Sequence, residues 1–335
     1  MGLPLSLDKT RVLAYNEGKM QHGGCAGGKQ MQNTTQFYLG IDGGGTKTAF
    51  LLTDAAGREH AKCTLGPSNP NDVGLDATCA LLGEGIAKVT AHLPLSCISV
   101  FAGIAGAATG EHAASITAYL RGLGFAKAEA ASDVRICLAS CLKDEDGIMV
   151  IMGTGSVAYA QCDGKIIRAG GYGYLFGDAG SGFALGQGAI LSALQSEDGS
   201  GPATLLHDLV ADACGKACVV NALPDFYRGG KAEIARYAPT VFEAYALGDA
   251  VATEILVRNV RAVADLICAA GSRMGKDHIP VVLCGGLIDA QADVILPLLQ
   301  NALKDDARAS NARTYSLSVS EQKPITGAIY LASKL

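Results

Sequence analysis

The strongest constraint on this chain is a unit that occurs twice: a strand-length apolar run, a glycine-rich turn, and a second apolar run. The first copy reads FYLGID, GGGTK, TAFLLTD over residues 37–54, and the second reads IMVIM, GTGS, VAYAQC over 148–162. Apolar runs of strand length on either side of a short glycine turn form β-hairpins. Each copy then turns toward a third strand, through Asp54-Ala55-Ala56-Gly57 into Glu59–Leu65 and through Asp163-Gly164 into KIIRAGG. Helical spacing is predicted for residues 75–91, 111–123, 179–195, 240–246, 250–272 and from about Asp289. SCISVFAGIAG and IPVVLCGG read as strands, and the stretch around Val134 as a short strand or loop.

Strand triplets followed by alternating helices and strands predict an α/β chain with two domains of related topology, each a mixed sheet flanked by helices. A length of 335 residues fits two cores. The expected domains are 37–140 and 141–323, with a C-terminal helix over 324–335 packing back on the first. Residues 1–36 are polar and glycine-rich without periodicity, so a flexible extension is expected there.

Composition removes several function classes. A net charge of −5 argues against nucleic acid as a partner. The apolar runs are broken by glycine or charge before the roughly 18 residues that a membrane helix needs. The N-terminus lacks the basic start and apolar core of a secretory signal, so a cytoplasmic protein with reduced thiols is expected. Among the 11 cysteines, Cys137/Cys141 and Cys214/Cys218 have helical i, i+4 spacing. No nearby histidine completes a metal set, and helix packing is the favoured reading.

The glycine turns invite phosphate-site readings, two of which fail on context. GIDGGGTK places Thr46 between the last glycine and Lys47, and a strand follows where a P-loop has a helix. GTGSVA matches G-x-G-x-x-A, but again a strand follows, so a dinucleotide site lacks its helix dipole. What remains is two turns whose backbone amides and threonine hydroxyls (Thr46, Thr154) can grip a polyphosphate from two sides. Asp42, directly before the first turn, is placed to face a cation there or simply to cap the turn. Asp133 reads as an aspartate near a strand end, and Asp178 as a helix N-cap.

GIDGGGTKTAFLLTD, SNPN at 68–71, Ser132-Asp133, IMVIMGTGS, GGYGYLFGDAGSGFALG and VVLCGG resemble, in order and spacing, the N-acetylglucosamine kinase family, within the BadF/BadG/BcrA/BcrD ATPase group of the actin-like sugar kinase superfamily. The resemblance spans about residues 37–331. It implies an actin-like (ribonuclease H-like) ATPase fold that closes over ATP, Mg²⁺ and an amino sugar, and phosphorylates the sugar's 6-hydroxyl. By its motifs Gly43, Gly44, Gly45 and Thr46 look like the first phosphate turn, with Asp42 on the Mg²⁺ side through water. Gly153, Thr154 and Gly155 look like the second turn, and Gly285 and Gly286 like the adenosine motif. Asp133 matches the catalytic base and also touches the sugar. Asn69, Ser156, Tyr172, Gly173, Tyr174 and Asp178 match positions lining the sugar pocket. Vertebrate-type members carry Trp and His at Tyr172 and Tyr174, and Asn at Val157, so N-acetylglucosamine and glucosamine both stand as acceptors. Relatives are often dimers, which makes a homodimer an expectation. Two other readings share the superfamily: an iron–sulfur ATPase activator of a dehydratase or reductase, and a non-catalytic sugar sensor. SNPN and GGYGYLFGD favour the kinase over the first, and the presence of Asp133 favours it over the second.

Overall fold

The structure is a computed structural model and describes residues 36–305 and 313–335. The extension expected over 1–36 lies outside the described residues except for Gln36. The chain runs β1 (Phe37–Gly43), β2 (Thr48–Asp54), β3 (Glu59–Leu65), α1 (Pro70–Val73), α2 (Leu75–Thr90), β4 (Ile98–Ile104), α3 (His112–Gly122), β5 (Lys127–Ser132) and α4 (Asp133–Leu142). It continues as β6 (Gly147–Met152), β7 (Ser156–Cys162), β8 (Lys165–Gly170), α5 (Gly182–Asp198), α6 (Leu206–Cys214), α7 (Leu223–Ala235), α8 (Ala238–Ala246) and α9 (Ala250–Gly271). The last elements are β9 (His278–Cys284), α10 (Gly286–Asp305), β10 (Thr314–Val319) and α11 (Pro324–Lys334).

The two hairpins seed two sheets of the same topology. The first has strand order β3-β2-β1-β4-β5 and the second β8-β7-β6-β9-β10. In both, the opening three strands are antiparallel and the fourth and fifth run parallel to the first. β4 is buried at all seven positions, as a central strand covered on both faces requires. β3 and β10 alternate exposed and half-buried residues, as edge strands do.

Two sequence expectations fail here. Val134 is neither strand nor loop: β5 ends at Ser132, whose extended backbone and hydroxyl, accepting from the Val134 amide at 3.1 Å, cap α4. The Cys214/Cys218 spacing is not helical either, because Gly215 enters the left-handed region (φ 63°) and ends α6 after Cys214. Cys137 and Cys141 do share a helix, and they pack with Met149, Val282 and Cys284 of the second sheet. Among the described residues no cysteine is in a disulfide.

Helix α4 contacts both sheets. Ile136 joins Phe101 of the first sheet and Ala328 and Ala332 of α11, while Leu138 and Leu142 join Met149 of the second. Glycines allow this closeness. A Cβ on Gly327 would stand 2.0 Å from the Ile136 carbonyl oxygen and 2.6 Å from the Ser140 amide. One on Gly40 of β1 would stand 3.0 Å from the Ile325 carbonyl oxygen. Thus α11 lies backbone-to-backbone on α4 and close over β1, which fixes the N-terminus of α4.

Gly327→Ala tests this packing, because two effects predict opposite signs. Helix propensity alone favours alanine by about 1 kcal/mol. The clash is with rigid backbone, and overpacking of that kind costs about 1–3 kcal/mol. A lowered denaturation midpoint is expected.

Candidate functional site

The first glycine turn is built by a ring of short hydrogen bonds. The Gly44 amide donates to the Lys47 carbonyl at 2.9 Å, the Ser68 amide to the Gly44 carbonyl at 3.0 Å, and the Ala105 amide to the Gly43 carbonyl at 2.8 Å. The hydroxyl of buried Thr48 donates to the Gly66 carbonyl at 2.8 Å and is hydrogen-bonded to the Ser68 hydroxyl, also at 2.8 Å. Gly43 must be glycine, since its Cβ would stand 2.3 Å from Ser68 Oγ and 2.6 Å from Ile104. Gly45, Thr46 and Lys47 remain exposed at the tip. Asn69 follows Ser68 directly and caps α1: its Oδ1 accepts from the Asn71 amide at 3.1 Å, and its Nδ2 donates to Asp72 at 2.7 Å. The same carboxylate oxygen of Asp72 lies 3.5 Å from a Cβ position on Gly45, so this asparagine turn flanks the glycine turn.

Asp42 is the penultimate residue of β1 and Asp133 opens α4, and both are half-buried. Burial is the first cause that holds the Asp42 carboxyl above its ordinary range; the charge of Asp133 adds to it, and Lys47 partly opposes it. Burial likewise raises Asp133, against hydrogen bonds from the Val134 amide (3.0 Å) and the Ser132 hydroxyl (3.5 Å). The charge of Asp133 also reaches Tyr159 on β7. Asp133 therefore stands between the sheets, within electrostatic reach of both.

The second turn is equally tied. The Gly153 amide donates to the Gly155 carbonyl at 2.9 Å, and the Gly182 amide donates to the Gly153 carbonyl at 2.8 Å, which joins the turn to the start of α5. Ser156 is buried; its hydroxyl donates to the Ala179 carbonyl at 2.7 Å and its amide to Asp178 Oδ1 at 3.3 Å. Asp178 is not the N-cap of α5, a place that Ser181 takes. It sits three residues earlier in the left-handed region (φ 60°), with its side chain turned under Gly155. Its other oxygen accepts from Lys231 Nζ at 2.7 Å, a contact 53 residues away that the sequence did not disclose.

Behind this turn lies a cavity of about 250 Å³ lined by Gly153, Thr154, Gly182, Gly286, Phe242 and Gln291, among others. It brings the second turn and the β9–α10 glycines to one place. Gly285 (φ 104°) turns the chain against the end of β6, where its Cβ would stand 2.6 Å from the Met152 carbonyl oxygen. Gly153 and Gly286 have only open space at the Cβ position. The cavity wall from α7 and α8 (Ala235, Ala238, Pro239, Phe242) carries no glycine or charge signature and was not foreseen.

The loop carrying Tyr172, Gly173 and Tyr174 follows β8. Tyr172 stacks on Arg168, whose guanidinium carbon is 5.2 Å from the ring centroid, and Tyr174 tilts against Phe183 at 5.2 Å. Tyr172, Tyr174, Leu175 and Phe176 are all exposed. The predicted residues thus fall in two groups, Asp42 to Thr46 with Asn69 on one sheet and Gly153 to Asp178 with Gly285 and Gly286 on the other, and Asp133 lies between them.

Outside this region, the cluster with metal-ligating spacing among the described residues is Asp146, Cys162 and Asp163 at the β7–β8 hairpin, where Lys276 already pairs with Asp146 at 2.5 Å. No described helix is long and apolar enough to cross a membrane.

Two glycine substitutions separate folding from cavity function. Gly286→Val adds a side chain into open space and is expected to leave the melting temperature nearly unchanged while abolishing adenine-nucleotide binding measured by calorimetry. Gly285→Ala meets backbone at positive φ and is expected to destabilise the fold itself by about 1–3 kcal/mol.

Known proteins are similar to this chain in sequence and fold. An N-acetylmuramic acid/N-acetylglucosamine kinase of Clostridium acetobutylicum is 33% identical over 264 residues, covering 76% of this chain and 86% of its own. An N-acetyl-D-glucosamine kinase of Dictyostelium discoideum is 27% identical over 291 residues, covering 81% and 91%. The solved structure of a ROK-family glucokinase from Streptomyces griseus superposes with a TM-score of 0.52 over 89% of this chain and 98% of that one, at 16% identity. That last likeness is one of fold, and the fold is the actin-like ATPase fold. The model of the BadF/BadG/BcrA/BcrD ATPase family matches residues 39–332, and the chain belongs to that family.

Proposed function

We propose that this protein is an ATP-dependent kinase of the 6-hydroxyl of an amino sugar, N-acetylglucosamine foremost, that yields the hexosamine 6-phosphate and ADP. The observation that carries this reading is Asp133: a half-buried carboxylate that opens the helix contacting both sheets, held above the ordinary carboxylate range by burial, whose charge reaches Asp42 at the first glycine turn. Phosphoryl transfer asks a protein chiefly for positioning and charge neutralisation, which two glycine turns with exposed tips can supply. The amides of Gly43 to Thr46 hold phosphate from one side and those of Gly153 to Gly155 from the other. The largely apolar cavity beside Gly286 takes the adenosine. Asp133 accepts the proton of the attacking hydroxyl, and its raised pKa makes it a better base than an exposed aspartate. Asn69, Ser156, Tyr172, Gly173, Tyr174 and Asp178 orient the sugar.

The family's use of ATP brings Mg²⁺ with it, and the residues fit. Asp42 is a carboxylate at the phosphate turn whose neighbour Asp133 leaves local negative charge that only Lys47 is seen to offset. Mg²⁺ held there through water would neutralise phosphate charge. Domains 37–140 and 141–323 move as the two lobes of the cleft, with 324–335 on the first. A cytoplasmic homodimer completes the proposal.

The test is ADP release with Mg·ATP against N-acetylglucosamine, glucosamine, N-acetylmuramic acid and glucose. The name of the Clostridium relative covers both N-acetylated sugars, so an acetylated acceptor is expected to rank first. Sugar-independent hydrolysis alone would instead support the activator reading, and no turnover the sensor reading. Asp133→Asn is expected to retain nucleotide and sugar binding and to lower kcat about 10²- to 10⁴-fold. The base must be ionised, and a raised pKa shifts its protonation to higher pH. The acid limb of kcat/KM is therefore expected above the ordinary aspartate range of about 4 and absent in the variant.

A further inference from the structure

Lys231 is not among the residues that the family motifs single out, yet it lies on the second phosphate turn. A Cβ on Gly155 would stand 2.9 Å from its ammonium and 3.0 Å from the Asp178 carboxylate with which it pairs. Two separate backbone devices bring these groups together. Asp178 adopts φ 60°, a conformation that costs a non-glycine residue about 1 kcal/mol or more and persists only where its surroundings enforce it. Gly230 (φ 58°, ψ −148°) breaks α7 immediately before Lys231 and redirects the chain.

The pair is asymmetric. Asp178 is 5% exposed and has its second oxygen on the Ser156 amide, so each of its oxygens has a partner. Lys231 is 31% exposed and uses one described contact of the three N–H donors an ammonium carries. Its ammonium stands beside the turn formed by half-buried Gly153 and Gly155 and exposed Thr154. A pair serving only to neutralise Asp178 needs no place against the Cβ position of a turn glycine, where this one stands.

We propose that Lys231 binds the terminal phosphates of the nucleotide at the Gly153–Gly155 turn, and that Asp178 is its positioning residue. The proposal rests on the kinase reading above. It gives the second turn a cation to match Lys47 beside the first, and it makes Asp178 the element through which the sugar side and the phosphate side of the cleft communicate. No bond is made or broken by Lys231; it supplies charge where the γ-phosphate departs.

The experiment is calorimetric titration of the full chain with Mg·ADP and with Mg·AMPPNP, for wild type, Lys231→Gln, Lys231→Arg and Asp178→Asn, paired with steady-state kinetics. Loss of a charge-assisted contact is expected to weaken Mg·AMPPNP binding about tenfold or more in Lys231→Gln. Mg·ADP, lacking the γ-phosphate, should weaken less, and Lys231→Arg should recover most of the affinity. KM for ATP should rise in Lys231→Gln with KM for the sugar little changed. Equal binding of both nucleotides by Lys231→Gln and wild type overturns the proposal, as does a Lys231→Gln defect confined to sugar KM and shared with Asp178→Asn. Wild type that binds no adenine nucleotide overturns the kinase reading along with it. Circular dichroism melts on each variant separate these results from misfolding, and Lys231→Arg reports on the contact even if Lys231→Gln fails to fold.

Discussion

The approach of α11 to α4 is the constraint on which the rest of the molecule depends. A helix crossing between two sheets can place a side chain where both reach it, provided that its end does not wander. Gly327 lets α11 press its backbone onto the Ile136 and Ser140 peptides, and Gly40 lets the same helix lie close over β1. Gly103 of β4 does the same from below, leaving room for the Ile136 side chain, which would otherwise lie 2.5 Å from a Cβ. With three contacts set at near-minimal distance, the first turn of α4 and Asp133 on it have one position relative to Asp42. Glycine in a helix or strand costs conformational entropy, and these positions accept that cost for close backbone approach.

The two halves of the site are prepared differently. On the second sheet almost every polar group is satisfied: Ser156 straps β7 to the 178–181 turn, Asp178 is closed by an amide and an ammonium, and the Gly180 amide donates to buried Asn259 at 2.9 Å. Such networks hold their shape because every buried member has a partner. On the first sheet the turn tip is exposed, and Asp42 and Asp133 repel one another. Two neighbouring carboxylates that burial keeps from ionising freely store unfavourable charge, which a cation or a proton relieves. One half is a rigid receptor and the other a charged partner.

What the sequence disclosed follows from which physics is local. The hairpins were legible because the apolar runs and the glycine turns between them are contiguous, and their recurrence predicted two sheets of like topology. The glycine turns, Asn69 and the Gly285-Gly286 pair were legible as motifs. The β5–α4 junction was misread because KAEAAS and DVRICLASCL are short, with periodicity too weak to outvote the β-branched Val134. Helices α6 and α7 escaped for a related reason, since Gly215 and the Gly229-Gly230 kink cut them into pieces shorter than a clear helical period. Asp178 read as a helix cap because cap and left-handed turn residues share a composition, and only three-dimensional packing shows Ser181 taking the cap.

Lys231 marks the limit of that legibility. Nothing in RGGKAEIA distinguishes a solvated lysine from one aimed at a phosphate turn, because its partner is 53 residues away and its direction depends on a single glycine torsion. A lone surface ion pair contributes little to stability. Here the carboxylate is buried and strained, so removing the lysine would leave an uncompensated charge under the turn. Stability and the proposed role thereby meet at one residue: the interaction that keeps Asp178 tolerable in the interior also keeps an ammonium beside the Gly153–Gly155 turn. Selection for either property would retain both, and the difference between Lys231→Gln and Lys231→Arg lies in whether charge alone, or charge with its point geometry, is what the turn requires.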